Sequence, residues 1–311
     1  PISREEDPMP DHNMRGVFPI LAMPFDPNGA ILVEDLQREV EWMVEGGLPG
    51  VGIALGSEVY KLTEADRDLA LRTVVDQAAG RLKVVMNTGV EGTHATVEYS
   101  RRAQELGADA LMIRPPSFAP LSGDDAAAYF VTVAGSVGIP IFMQDVLGAP
   151  VPPPLAVRLA GEHENLCYIK VESAPTVPRF VDLAGLLENA GVTLTLFGGA
   201  GGQFLLEEAR RGSDGSMPWA VIADVYHRVW TRFKAGDEHG AEAEYRRYAA
   251  LGRTIAQGMG IAMWTNDHIL KRRGIFSAGA QPRPPAPRPD AIAIRELDAL
   301  LEELDLATAP A

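Results

Sequence analysis

The 311-residue chain is 46% hydrophobic and 23% charged, a composition typical of a globular protein with a large buried core. Its formal net charge of −14 disfavours a nucleic-acid partner, because binding to a phosphate backbone depends on clustered lysine and arginine. No apolar run is long enough for a membrane span or for the core of a signal peptide, so we expect a cytoplasmic protein without a membrane partner.

Eight short apolar runs recur along the chain. Each has the length and the nearly continuous hydrophobicity of a strand that is buried on both faces. The predicted strands cover residues 17–24, 50–55, 82–87, 110–115, 139–144, 166–171, 192–197 and 215–220.

Segments with helical periodicity separate these strands, for example residues 32–47, 62–80, 93–108 and 123–138. The predicted N-caps are Thr63, Thr93 and either Ser122 or Asp124. The predicted C-terminal stops are Gly47, Gly80 and Gly107.

Eight strand–helix units predict a (β/α)₈ TIM barrel, and their number favours this fold over a doubly wound open sheet. The chain from Trp219 to Leu304 is helical in character, apart from a proline-rich stretch at 279–290 that we interpret as a rigid surface connection. We therefore predict an N-terminal extension at 1–14, a barrel at 15–236 and a C-terminal helical extension at 237–311.

Catalytic groups of such barrels come from the C-terminal ends of the strands and the loops that follow them. Lys170 stands out because it interrupts an otherwise apolar strand between Ile169 and Val171. Burial disfavours the ammonium form of a lysine and leaves an amine that can attack a ketone. The alternative is a structural lysine that pairs with Glu172 or Asp145.

Residues Gly56, Ser57 and Glu58 follow the second predicted strand and precede a helix. Backbone N–H groups and a serine hydroxyl in such a turn could bind a carboxylate without a cation. The alternative is an ordinary turn in which Gly56 supplies an unusual backbone angle and Ser57 satisfies a local donor.

A glycine-rich loop that begins with Gly198 and Gly199 follows the seventh predicted strand. It lacks the lysine and hydroxyl residue of a P-loop and the context of a dinucleotide-binding loop, so we expect no nucleotide cofactor. These glycines could let the backbone approach a substrate, or they could simply close a tight turn. The single cysteine, Cys167, and six scattered histidines give no support for a disulfide or a metal site.

From Arg15 onwards the chain resembles the dihydrodipicolinate synthase and N-acetylneuraminate lyase superfamily of Schiff-base aldolases and dehydratases. The resemblance rests on segments 15–31, 56–67, 115–120, 139–145 and 168–173. Within the superfamily the chain is most similar to dehydratases of the L-2-keto-3-deoxyarabonate type, through MQD at 143–145, KVE at 170–172 and ILKRRGIF at 269–276.

The resemblance implies that Lys170 is the imine-forming lysine and that Gly56 and Ser57 hold the carboxylate of a 2-oxo acid. The family usually places a tyrosine where this chain has Ser117, so the proton relay or the reaction has changed. A water held by Ser117, or Tyr60 or Glu58, could carry the proton instead.

Three further polar side chains near the predicted lysine have open roles. Gln144 and Asp145 either serve the chemistry or form a polar strand end that binds the neighbouring loop. Glu172 should point to the same side as Lys170, where it could orient the lysine, act as a base or form a structural ion pair.

The leading hypothesis is a lyase that joins Lys170 to a 2-oxo acid as a covalent imine, with no other cofactor. Dehydration of a 2-keto-3-deoxy sugar acid and pyruvate-type aldol chemistry use the same intermediate. The alternatives are a dihydrodipicolinate synthase-like condensation of pyruvate with an aldehyde and a non-catalytic barrel that binds 2-oxo acids. The resemblance also implies a homotetramer.

Overall fold

Eight parallel strands form the central sheet of the computed structural model, which describes residues 13–119 and 121–308. Residues 1–12 of the predicted N-terminal extension lie outside the described residues. The strands are β1 (Gly16–Val17), β2 (Gly50–Ile53), β3 (Lys83–Asn87), β4 (Ala110–Ile113), β5 (Ile141–Asp145), β6 (Tyr168–Val171), β7 (Thr195–Gly198) and β8 (Gly215–Ser216).

The sheet closes on itself. β1 pairs with β8, and the order then runs from β8 back to β2 in steps of one strand. A parallel bridge between Ile20 and Gly52 joins the segment after β1 to β2 and completes the ring. The predicted (β/α)₈ barrel is therefore confirmed, and the doubly wound open sheet is excluded.

The first and last strands are much shorter than their apolar runs suggest. Pro19 follows β1 and Pro218 follows β8, and proline has no N–H to donate to a ladder. Their carbonyl groups still accept, from Gly52 N at 2.9 Å and from Ile20 N at 2.8 Å respectively. The regular pairing therefore ends at these prolines, although the chain continues along the barrel wall.

Helices follow the strands around the barrel and continue beyond it. They are α1 (Val33–Glu45), α2 (Glu64–Ala78), α3 (Thr93–Glu105), α4 (Gly123–Ala134), α5 (Pro153–Glu162), α6 (Thr176–Ala190), α7 (Leu205–Ala209), α8 (Ala223–Lys234), α9 (Glu238–Arg247), α10 (Ala249–Ile255), α11 (Met259–Arg272) and α12 (Ala291–Glu303). Short 3₁₀ turns lie at Leu55–Ser57, Val59–Lys61, Ala200–Gly202 and Ala220–Ile222.

The helix ends agree partly with the sequence signals. Thr63 and Ser122 are N-caps whose side chains accept from the backbone N–H three residues later. The Thr93 prediction is wrong, because Gly92 occupies the N-cap and Thr93 is already the first helical residue. The predicted stops Gly47, Gly80 and Gly107 each follow a helix end with a positive φ.

The barrel interior is layered along its axis. Its middle holds four fully buried rings, in which Phe142 and Tyr168 stack at 4.4 Å, Phe197 meets both edge-on, and Phe18 meets Phe197 edge-on at 5.5 Å. Gln144 and Lys170 are paired in register between β5 and β6, each two residues beyond one of these aromatic residues. Because alternate residues of a strand face the same side, both lie directly above the aromatic layer.

The segment after α11 is held against the barrel. Arg283, within the proline-rich stretch, donates to Lys61 O at 3.0 Å and to Asp66 Oδ2 at 2.7 Å, while Lys61 Nζ donates back to Arg283 O at 2.5 Å. Gln281 also forms an antiparallel bridge with Phe25. These contacts fix the stretch as an ordered connection between α11 and α12, whereas the division into separate segments at 236/237 stays a prediction.

Candidate active site

Lys170 lies at the floor of a cavity at the C-terminal end of the barrel. Its side chain is only 4% exposed and forms an ion pair with Glu172, whose Oε1 lies 3.0 Å from Lys170 Nζ. The two residues are two positions apart at the end of β6, as the expected alternation required. A buried lysine in contact with a carboxylate is thus the central feature of the site.

A chain of hydrogen bonds fixes Glu172. Gln144 Nε2 donates to Glu172 Oε2 at 2.8 Å, and Asn87 Nδ2 donates to Gln144 Oε1 at 2.9 Å. On the other side, Ala200 N donates to Glu172 Oε1 at 3.3 Å. Both carboxylate oxygens are therefore oriented by donors, so Glu172 presents a fixed acceptor to Lys170.

The glycine-rich loop after β7 makes room for this carboxylate. A Cβ at Gly199 would lie 2.2 Å from Glu172 Cγ, so any larger residue there would displace Glu172. A Cβ at Gly198 would lie 1.8 Å from Glu208 Oε2, a second carboxyl group behind the loop. Both predicted glycines therefore permit a close approach of side chains, and no phosphate cradle is needed to explain them.

The turn after β2 forms another part of the cavity wall. Gly56 lines the cavity, and Trp219 and Ile20 pack so closely on it that a Cβ would lie within 2.9 Å of each. Ser57 is fully buried and lies outside the lining, where its hydroxyl donates to Leu21 O at 2.5 Å and accepts from Ala54 N at 3.1 Å. The hydroxyl therefore holds the turn against the segment after β1.

The cavity has a volume of about 370 Å³, large enough for a small organic acid. Its polar groups are contributed by Gln144, Lys170, Glu172 and Gln203. Apolar side chains form most of the remaining wall, and several of them come from α10 and α11, outside the barrel. The apolar lining residues include Leu55, Val146, Leu147, Met217, Trp219, Ile255, Met259 and Ala262.

Two predicted catalytic carboxylates are placed away from this cavity. Glu58 is buried and ion-paired with Lys61, and burial raises its pKa despite that partner. Asp145 is also buried, with its Oδ1 accepting from Val151 N at 2.9 Å and its Oδ2 3.5 Å from Arg179 Nη1. Burial raises the pKa of Asp145 too, and neither residue is among those that line the Lys170 cavity.

Ser117 lies on an exposed loop that lines a different surface cavity, together with Phe118 and Leu121. Its hydroxyl is within hydrogen-bonding distance of Glu91 Oε1 at 3.2 Å, and its backbone N–H donates to Glu91 Oε2 at 2.9 Å. Burial by itself would raise the pKa of Glu91, yet hydrogen bonds from Phe118 N and Arg114 lower it to about 2. Within one chain, Ser117 is therefore engaged by Glu91 at a distance from the Lys170 cavity.

Glu208 is a buried carboxyl group that no sequence pattern indicated. This residue of α7 is 1% exposed, its Oε1 accepts from Thr176 Oγ1 at 2.9 Å, and Oε2 has no hydrogen-bond partner among the described residues. Burial, together with the charges of Glu172 and Glu207, raises its pKa to about 8. A glutamate on a helix carries no local sign of burial, so only its position behind Gly198 reveals it.

Residues 13–119 and 121–308 include neither a membrane-spanning helix nor a cluster of metal ligands. No helix there is both long and apolar enough to span a bilayer. Nor do those residues contain a group of three or more His, Cys, Asp or Glu side chains arranged to hold a metal ion.

The chain is similar in sequence and in fold to known proteins. L-2-keto-3-deoxyarabonate dehydratase from Azospirillum brasilense is 28% identical over 299 residues, which cover 94% of each chain. The crystal structure of dihydrodipicolinate synthase from Rhodopseudomonas palustris is 25% identical, with a TM-score of 0.87 over 94% of this chain and 98% of that one.

A further solved structure shows the same fold. It is YagE, a prophage protein of the dihydrodipicolinic acid synthase family from Escherichia coli K12, solved in complex with pyruvate. The TM-score is 0.84 at 20% identity, over 94% of this chain and 99% of that one. The model of the dihydrodipicolinate synthetase family matches residues 13–301. The chain therefore belongs to the dihydrodipicolinate synthetase family and is a lyase of that family.

Proposed function

We propose that the chain is a lyase that forms a Schiff base between Lys170 and a 2-oxo acid, acting as a 2-keto-3-deoxy acid dehydratase or a pyruvate-type aldolase. The observation that carries the proposal is the buried Lys170 at the floor of the cavity, 3.0 Å from an oriented carboxylate. The dehydratase from A. brasilense and the pyruvate complex of the E. coli protein support this substrate class.

The first step needs a neutral amine. Glu172 takes a proton from Lys170 Nζ, and the amine then attacks the ketone carbon of the substrate. Loss of water from the adduct gives the imine, and the proton held by Glu172 leaves with that water. Because Gln144 and Ala200 N hold the carboxylate in place, the proton moves between two groups that are already in contact.

The second step removes a proton from C3 of the substrate. The imine withdraws electrons from C3, and the Glu172 carboxylate is the base of the cavity that lies nearest the imine nitrogen. From the resulting enamine, the C4 hydroxyl leaves as water with the proton that Glu172 took from C3, which is dehydration, or C3 attacks the carbonyl carbon of an aldehyde and forms a C3–C4 bond, which is aldol chemistry. In this proposal Glu172 takes over the relay that the family assigns to a tyrosine.

The substrate carboxylate needs donors, because the chain carries a net charge of −14. We assign it to the 3₁₀ turn at Leu55–Ser57, where Gly56 lines the cavity and its N–H donates to no acceptor among the described residues. Ser57 supports this turn through its hydrogen bonds to Leu21 and Ala54. The carboxylate is thus bound by backbone dipoles and not by a cation.

Reduction with borohydride in the presence of pyruvate tests the proposal. The wild-type chain should gain the mass of one reduced pyruvate, located on Lys170 by peptide mapping. Lys170→Ala should gain none, whereas Lys83→Ala, which removes an exposed lysine paired with Asp109, should react like wild type. An unmodified wild type, or an undiminished adduct in Lys170→Ala, would refute the proposal and favour a non-catalytic barrel.

A second candidate is the condensation of pyruvate with an aldehyde, as in the synthase from R. palustris. It uses the same lysine, so the adduct alone does not distinguish it. Turnover with aspartate semialdehyde distinguishes the two candidates, because only a synthase-like enzyme would consume pyruvate in its presence. The position of Ser117, outside the Lys170 cavity, favours the first candidate.

Homotetrameric assembly and a cytoplasmic location are also proposed, both on the ground of family membership. Sedimentation velocity of the purified chain tests the assembly, and a species of one chain or two would refute it.

A further inference from the structure

The cavity above Lys170 has a polar floor and an apolar upper wall. We propose that this upper wall selects 2-oxo acids whose chain beyond C4 is apolar, in place of the hydroxylated chain of a sugar acid. The inference rests on the proposed function and narrows its substrate class.

The polar side chains at the floor are already committed to one another. Gln144 uses its carbonyl oxygen to accept from Asn87 and its amide to donate to Glu172. Glu172 in turn accepts from Gln144, Lys170 and Ala200 N. Few donors or acceptors are left here for hydroxyl groups farther along a substrate, so the floor serves the ketone and C3, while the carboxylate is bound at the turn that contains Gly56.

The upper wall is formed by side chains from three parts of the chain. Val146 and Leu147 follow β5, Ile255 and Met259 come from α10 and α11, and Leu55 faces them from the turn after β2. Leu147 is 84% exposed and Met259 is 42% exposed, so both lie towards the mouth of the cavity. Large apolar side chains left in water are covered when an apolar ligand occupies such a position.

The same wall offers little to a hydroxylated chain. Among the described residues, the lining beyond the floor adds two side chains with polar atoms, the exposed Gln203 and Trp219 with its indole N–H. A hydroxyl that leaves water without a new hydrogen bond costs free energy, and pockets built to recognise hydroxyls supply partners for them. An alkyl or aryl substituent loses no hydrogen bond and buries apolar surface against Leu147 and Met259.

The reaction that follows is an aldol addition or its reverse. Lys170 converts pyruvate into an enamine, whose C3 forms a bond to the carbonyl carbon of an apolar aldehyde. The aldehyde oxygen takes up a proton and becomes the C4 hydroxyl, and water then hydrolyses the imine to free Lys170. The product is a 4-hydroxy-2-oxo acid with an apolar substituent, and no oxidant or reductant is consumed.

A matched pair of ligands tests the selection. 2-Oxopentanoate and 4,5-dihydroxy-2-oxopentanoate share one carbon chain and differ by two hydroxyls. Wild type is given an equal mixture of both, reduced with borohydride and read by intact mass, and the dissociation constants are measured separately by calorimetry. We expect a preference for 2-oxopentanoate of about tenfold or more, the size of a one-methylene discrimination in an apolar pocket.

Only the open-chain ketone of each ligand can react, and each ligand has its own fraction of this form in solution. That fraction is the same for every protein variant, so a comparison of variants of the wall removes it from the measured ratio. Leu147→Asn combined with Met259→Gln should shift the ratio about tenfold towards the dihydroxy acid. Both side chains are exposed, so folding is not at risk. Leu69→Asn, at an exposed apolar position on α2 outside the cavity, should leave the ratio unchanged.

The outcomes separate the two proposals. Equal use of the two acids, a preference for the dihydroxy acid, or a ratio that the double variant leaves unchanged would overturn the apolar selection while the imine stands. If no ligand forms an adduct, the proposed function fails, and calorimetry alone then decides whether the cavity prefers the apolar acid.

Discussion

Glu208 provides the sharpest prediction for stability. The residue is 1% exposed, and its Oε2 lies beside Gly198 with no hydrogen-bond partner among the described residues. Burial, with the nearby charges of Glu172 and Glu207, raises the pKa of Glu208 from its ordinary value of 4.5 to about 8. Between pH 4.5 and about pH 8 the native state therefore binds one proton more than the unfolded state.

This difference makes the free energy of unfolding fall as the pH rises through that window. The slope is about 1.4 kcal/mol per pH unit, which amounts to about 5 kcal/mol over the whole window. Glu208→Gln removes the titration, while its amide oxygen can still accept from Thr176. The stability of the variant relative to wild type should therefore rise by about 2 kcal/mol between pH 6 and pH 8.

Urea unfolding followed by circular dichroism at pH 6, 7 and 8 measures this difference. Because other buried acids titrate equally in both proteins, the difference between their free energies of unfolding isolates the contribution of Glu208. Glu188→Gln changes an exposed glutamate on α6 and should follow wild type at every pH. A difference between Glu208→Gln and wild type that stays constant from pH 6 to pH 8 would refute the reasoning.

Three further substitutions test the site and the fold around it. Gly199→Ala should slow adduct formation at least about tenfold, because its Cβ would displace Glu172. Gly185→Ala, at an open helical position, should not slow it, and equal rates for the two variants would contradict the role of Gly199. Burial raises the pKa of Glu39 well above its usual range. In the same urea assay, Glu39→Gln should therefore increase the free energy of unfolding relative to wild type more at pH 8 than at pH 5, and the opposite trend would contradict the raised pKa. Ser57→Ala should lower the free energy of unfolding by about 1–3 kcal/mol, since it removes the hydrogen bonds to Leu21 and Ala54. Weaker substrate binding with unchanged stability would instead indicate that the Ser57 hydroxyl binds the substrate directly.

The sequence by itself determined the architecture and the central residue. Eight apolar runs with intervening helical periodicity are local patterns, and a local pattern is sufficient to predict a strand, a helix and their number. Lys170 could be found in the same way, because a charge inside an apolar strand contrasts with its immediate neighbours. The prediction that Glu172 faces the same side needed only the two-residue period of a strand.

The lengths of β1 and β8 were not predicted correctly, because the apolar pattern continues through Pro19 and Pro218 while the hydrogen-bond ladder does not. The N-cap at Gly92 was missed for a related reason, since Thr93 has a favourable side chain but helical geometry already begins there.

Only the tertiary structure decided which groups share the cavity. Ser117 and Glu58 follow strands as catalytic residues do, yet their side chains are bound by Glu91 and Lys61 outside the cavity. Met259 lies 89 residues beyond Lys170 in the printed numbering and still forms the wall above it. A strand's pattern reveals which face a residue occupies, but the partner across a cavity depends on how distant helices pack, and that packing leaves no local signal in the chain.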